Sequence, residues 1–239
     1  MEKSKHAEAF ILGAAILLGL AVLGYFVSNI AVSLKRSERS VTVKGLSERE
    51  IPANIAIWPI KFSEASNDLN DLSVIMENKT SIVTDFLKAN GFSSDDISMS
   101  APNISDKLAQ RYVEPNKIKF RYVATVTMTV FTGNVDLVRK TMRKLVDLGK
   151  KGIAVEGQDY GAKTEFLFTR LNDIKPEMIE EATKNAREVA EKFAKDSNSV
   201  LGKIKHGRQG QFSIVNRDSN TPYIKKVRVV STVEYYLTD

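Results

Sequence analysis

The chain is 239 residues long, with 35 basic and 29 acidic side chains, a net charge of +6 and 43% hydrophobic residues. It has no cysteine and only two histidines, His6 and His206. That excludes disulfides, thiolate chemistry and a metal site built on cysteine or histidine. Residues 1–39 hold five basic and three acidic side chains, leaving 30 against 26 in the remainder. This dispersed net +4 is unlike the clustered basic face, interleaved with aromatics, of a nucleic-acid binder.

The segment Ala9–Leu34, AFILGAAILLGLAVLGYFVSNIAVSL, contains no charged residue. As a helix its 26 residues reach about 39 Å, against a hydrocarbon core of about 30 Å. Lys3, Lys5 and Glu8 precede it, and Lys35, Arg36 and Arg39 follow. The pattern predicts a tail at 1–8, a transmembrane anchor at 9–34, a linker at 35–40 and a water-soluble body at 41–239. A cleaved signal peptide is the competing reading, but its apolar region runs only about 7–15 residues. The small pair Ala31 and Ser33, beyond Asn29, would also make a poor cleavage site. Basic residues flank both ends, so orientation rests on the tendency of a first span to translocate the chain after it. That places the tail inside and the body outside. The pairs Ala15/Gly19 and Gly24/Ser28 have small-xxx-small spacing, which is common by chance in Gly/Ala-rich spans.

In the body, Val41–Gly45 begins a strand and GLSEREIPAN reads as a turn region closed by Pro52. Asn54–Ser63 is an apolar strand with Ala56, Trp58, Ile60 and Phe62 on one face, and Pro59 suggests an edge or bulge. Ser66-Asn67-Asp68 offers N-caps for a helix to about Ala89, ended by Asn90-Gly91. A strand over Ile97–Ile104 precedes a polar stretch, and Ile118–Phe131 alternates as a half-buried strand. Asn134 caps a second helix to Leu148, and Lys163–Arg170 is a strand, with a short one possible at Ile153–Val155. A third helix is expected to have Pro176 in its first turn, Asp173 near its cap, and a stripe of Ile179, Ala182, Ala186, Val189 and Phe193. Its outer face offers the pairs Glu180/Lys184, Glu188/Lys192 and Glu191/Lys195. Ser199–Ile204 starts a strand, Lys205–Gly210 is a basic glycine loop, Phe212–Val215 is short, and Lys226–Leu237 is the last strand. The fold class expected is α+β: an N-terminal transmembrane helix, then a mostly antiparallel sheet with two to three helices on one face.

The motif inventory is thin. Phosphate-loop, dinucleotide and nucleophile-elbow patterns are absent. Lys205–Gln211 combines cations with free amides but lacks a following helix N-terminus, and a surface turn is the simpler reading. Asp95-Asp96 is short of the oxygen ligands a divalent site needs, and a cap before a strand explains it. Glu180-Glu181 falls on an ion-paired helix face and is expected to be solvated. His206 lacks a carboxylate near it in sequence, and Trp58 and Tyr235-Tyr236 are expected in packing roles. These readings assign no catalytic, cofactor-binding or metal residue and no cofactor.

Five ordered segments together resemble the SIMPL-domain family. They are VTVKGLSEREIPANIAIWPIKFSEAS, LKANGFSSDDISMSAPNIS, FRYVATVTMTVFT with NVDLVRKTMRKLVDLG, EEATKNAREVAEKFAKDSNSVLGKI, and VRVVSTVEYYL. That family includes the periplasmic immunogenic protein and oxidative-stress-defence proteins of bacterial envelopes. The sequence departs from it at Ile51-Pro52-Ala53, where typical members have a Pro-Pro-Asp-like opening. The anchor departs too, where many members have a cleaved signal. The resemblance implies an envelope-facing α+β domain without established catalytic residues, linked to stress defence, with a relative that forms a ring-like oligomer. The expected protein is thus a non-enzymatic, self-assembling, single-pass inner-membrane protein with an extracytoplasmic body, binding neither metal nor nucleic acid. Two alternatives stay open: an envelope accessory protein or enzyme with an unidentified ligand pocket, and a cytoplasm-facing basic domain on anionic lipid or nucleic acid.

Overall fold

The computed structural model describes residues 10, 13–27, 39–110, 118–157 and 163–238. Residues 13–27 form a helix, α1, with every residue exposed. No helix among the described residues is long and apolar enough to cross a membrane. Of the expected anchor, residues 9, 11–12 and 28–34 lie outside the described residues, as do the tail at 1–8 and the linker at 35–38.

The chain divides into two compact units. One comprises Met1–Glu48, Ile174–Ser213 and Arg228–Asp239; the other comprises Arg49–Asp173 and Ile214–Val227. The single sheet expected from the sequence is two antiparallel sheets, and the helices number five among the described residues.

In the first sheet, β1 (Ser40–Pro52) pairs with β9 (Ile224–Thr238), which also carries β7 (Val200–Gln209) and β8 (Ser213–Asn216). β1 runs through GLSEREIP, where a turn was expected. Its inward positions are Val43, Gly45 and Ser47, and two of these three are not apolar, so the alternation is invisible to hydropathy. β7 likewise runs through Lys205–Gln209, the expected loop: Gly207 faces Val233 and Arg208 faces Thr232. Every residue from Lys203 to Gln209 is exposed, so no buried face marks this strand.

Helix α5 (Leu171–Asp196) turns Met178, Ala182, Ala186, Ala190 and Ala194 inward at four-residue spacing. Ala186 and Ala190 pack with Val43, Val233 and Tyr235. The approach at β1 is so close that a Cβ on Gly45 would sit 1.8 Å from the Ala182 carbonyl oxygen and 2.4 Å from the Ala186 nitrogen. Only glycine on the strand and small residues on the helix permit this spacing. The expected stripe is therefore displaced: Val189 is 37% and Phe193 56% exposed. The helix also starts before Asp173, so that residue does not cap it, and Pro176 lies inside it. On the outer face it is Arg187 that pairs with Glu191, at 3.0 Å, in place of the Lys195 partner expected.

In the second sheet, β2 (Ile55–Ser66) pairs with β5 (Tyr122–Thr132) from Ala56↔Thr132 to Ser66↔Tyr122. β3 (Ile97–Met99) and β4 (Asn103–Asp106) lie on β5, replacing the single strand expected at 97–104. β6 (Glu165–Leu167) pairs with β2 only at Ile55–Ile57, and Val155 adds a lone bridge to Phe62. Pro59 falls between these contacts, so the missing donor removes no ladder bond on that side. Trp58, Ile60, Phe62, Val126, Met128 and Val130 form the core against α2 (Leu69–Ala89), from which Leu72, Val83 and Leu87 are buried. Asp68 caps α2, accepting the N–H groups of Asn70 at 2.7 Å and Asp71 at 3.1 Å. Gly91 follows it at φ 98°, a conformation that favours glycine. The second expected helix is two: α3 (Val135–Met142), capped by Asn134, and α4 (Val146–Lys150).

Candidate functional site

In the second unit, α3, β6 and the loop at 217–223 enclose a pocket of about 360 Å³. Asn134 accepts the Leu137 N–H at 3.0 Å and fixes the start of α3. From there Arg139 and Arg143, one turn apart, reach the pocket wall. The Arg139 guanidinium carbon lies 3.5 Å from the centroid of the Tyr223 ring, and its Nη1 donates to Asp136 at 2.9 Å. Phe166, buried on β6, meets the same ring edge-on at 6.1 Å and 77°. A cation over an aromatic face is attracted by the ring quadrupole and has its plane fixed by stacking.

The loop that completes the wall is held by Asp218. Its Oδ1 accepts the N–H groups of Asn220 at 2.8 Å and Thr221 at 2.7 Å, and its Oδ2 accepts Arg217 Nε at 3.1 Å and the Thr221 hydroxyl. The Thr221 hydroxyl and Arg217 hold the Asp218 carboxyl at a pKa of about 2. Arg217 also reaches Glu50 at 3.3 Å. Beside the pocket Lys225 is buried, and its ammonium donates to Asn216 Oδ1. Burial lowers the Lys225 pKa, with Glu165 acting in the opposite direction.

Other concavities lie elsewhere on the described residues. An apolar slot of about 270 Å³ lies between α2 and the β3–β5 strands, lined by Leu72, Met76, Met99, Ile104 and Val126. A more open groove lies between α5 and β7, with Arg187, Ile204 and Tyr235 on its walls.

The residues weighed from sequence fall elsewhere. Lys205–Gln209 is strand rather than an anion-binding loop. Asp96 closes a capping box with Ser93, its carboxylate accepting both the Ser93 N–H and hydroxyl, which lowers its pKa. Glu180 lines the open groove, while Glu181 accepts the hydroxyl of buried Ser47 at 2.9 Å, so it is not simply solvated. His206 does have a carboxylate opposite it, Glu234, which β pairing supplies across 28 residues of sequence. That carboxylate is already taken by Ser40 Oγ at 2.6 Å and Lys205 Nζ at 3.0 Å, which lower its pKa. Trp58 packs in the core near Phe92, and Tyr235 is buried while Tyr236 is half-exposed. No group of three or more His, Asp or Glu among the described residues is placed to hold a metal ion. The cationic pocket was not anticipated: its parts are far apart in sequence, and its one local signal is the Arg139/Arg143 pair at i,i+4.

Two antiparallel sheets, one packed with α5 and the other with α2, make an α+β fold. A family model described as SIMPL, protein of unknown function (DUF541), matches residues 41–233, and the chain belongs to that family. No curated protein matches the chain at a significant level.

Proposed function

We propose that this SIMPL protein is held in a bacterial inner membrane by Ala9–Leu34, carries its body on the extracytoplasmic side and acts, without catalysis, as an assembly of copies. The observation that carries the reading is α1. Its apolar side chains are exposed all round, Ile16 at 56% and Leu17 at 71%, so none of the described residues covers them. A helix apolar on every face belongs in lipid or against other copies. Assembly is supported by the first sheet, where β1, a strand of 13 residues, stands at the end of the strand order among the described residues. Such an edge is a template for pairing with another chain. A role in envelope or oxidative-stress defence rests on the family resemblance.

Light scattering on the full chain in a neutral detergent tests the assembly. The expected protein mass is a multiple of the 26.6 kDa protomer. A single-protomer mass at micromolar concentration contradicts it.

A further inference from the structure

The pocket beside α3 has one-sided chemistry. Arg139, Arg143 and Lys163 bring three cations to its wall, and no aspartate or glutamate among the described residues lines it. Asp136 offsets part of the Arg139 charge from outside the lining. Arg143 and Lys163 are exposed, at the pocket's rim. Asn216 adds direction. The Lys225 ammonium has only donors, so the oxygen of Asn216 faces it and the amide NH₂ is left for the pocket. Ser219 and Asn220 add further polar side chains to the lining.

The apolar part of the lining is made by the rings of Phe166 and Tyr223, with Met142 and Pro222, and the Arg139 guanidinium stacks on the Tyr223 ring. The volume lies at the small end of the roughly 300–1,000 Å³ typical of small-molecule sites. The Asp218 hydrogen bonds fix the loop before any ligand arrives, which reduces the ordering cost of binding.

From this arrangement we propose that the pocket binds a small organic oxyanion, a carboxylate or phosphate ester borne on a flat apolar body. The oxyanion meets Arg143, Lys163 and the Asn216 amide, and the flat body lies along the aromatic wall. This site is independent of tethering and assembly.

Calorimetric titration of the full chain in a neutral detergent tests it, with phenyl phosphate, benzoate, phenol and inorganic phosphate as probes. Phenyl phosphate or benzoate, or both, bind saturably at one per chain, and the tighter of the two identifies the oxyanion. Phenol and inorganic phosphate, each lacking half of the recognised chemistry, bind at least about tenfold more weakly, as the loss of about 1.4 kcal/mol dictates. Arg143→Glu and Lys163→Glu each weaken the better probe by about tenfold or more, since a charge-assisted hydrogen bond is lost, with the melting temperature unchanged. Arg143→Lys retains most of the affinity. Three results overturn the proposal: no saturable binding of either organic anion, unchanged wild-type affinity in either glutamate variant, or phenol or inorganic phosphate matching the better organic anion.

Discussion

Adding one methyl group at Gly45 places a carbon 1.8 Å from the Ala182 carbonyl oxygen and 2.9 Å from the Ala186 Cβ. Both the nearest oxygen and the Ala186 nitrogen at 2.4 Å are helix backbone, which cannot rotate away as a side chain can. Gly45→Ala therefore has to push α5 off the sheet. Its expected cost is about 3 kcal/mol or more, at or above the upper end for overpacked cores. Gly149→Ala is the control, because a Cβ there meets nothing within 4 Å. In the short helix α4 the alanine is expected to be neutral or to gain up to about 1 kcal/mol. Urea denaturation midpoints read both changes, and equal midpoints for the two variants contradict the close approach.

At the scale of elements, the loop at 217–223 depends on one carboxylate. The Asp218 pKa is lowered from 3.8 to about 2, chiefly by the Thr221 hydroxyl and then by Arg217. A depressed folded-state pKa contributes stability that is complete above the unfolded value and fades as pH falls through the folded one. The amide protons of Asn220 and Thr221, both bonded to this carboxylate, are expected to stay protected above pH 3.8 and lose protection towards about pH 2. Hydrogen exchange followed by NMR checks this, and protection lost well above pH 3.8 contradicts it. The legible elements are those with one strong periodicity. Helix α2 declares itself through Asp68, its apolar stripe and Asn90-Gly91, and β5 through Ala124, Val126, Met128 and Val130, all buried. Helix α5 carries two stripes that share Ala182 and Ala186, and hydropathy picks Val189 and Phe193 over Ala190 and Ala194. The helix buries the alanines because Gly45 brings the backbones together, a contact between segments more than 130 residues apart in the chain. Strands β1 and β7 are missed in part because polar or glycine residues fill positions where alternation would show. The pocket is the extreme case, since α3, β6 and the 217–223 loop meet only through the fold.

At the scale of the whole molecule, the residue pattern predicts one sheet, and the chain instead builds two, each within its own hydrophobic cluster. Nothing in local periodicity tells which strands share a sheet, because β1, β7 and β9 are brought together only by pairing between distant segments. The proposed anchor is of another kind: a stretch of 26 uncharged residues needs no tertiary context to be seen. Tethering by that stretch, with the body outside, is the central claim. The direct measurement is protease access to a C-terminal tag in intact spheroplasts, with alkaline carbonate extraction of the same membranes. The account predicts a tag digested from outside and a chain that remains with the carbonate-washed membrane. A tag protected until the membrane is broken, or a chain released by carbonate, contradicts it.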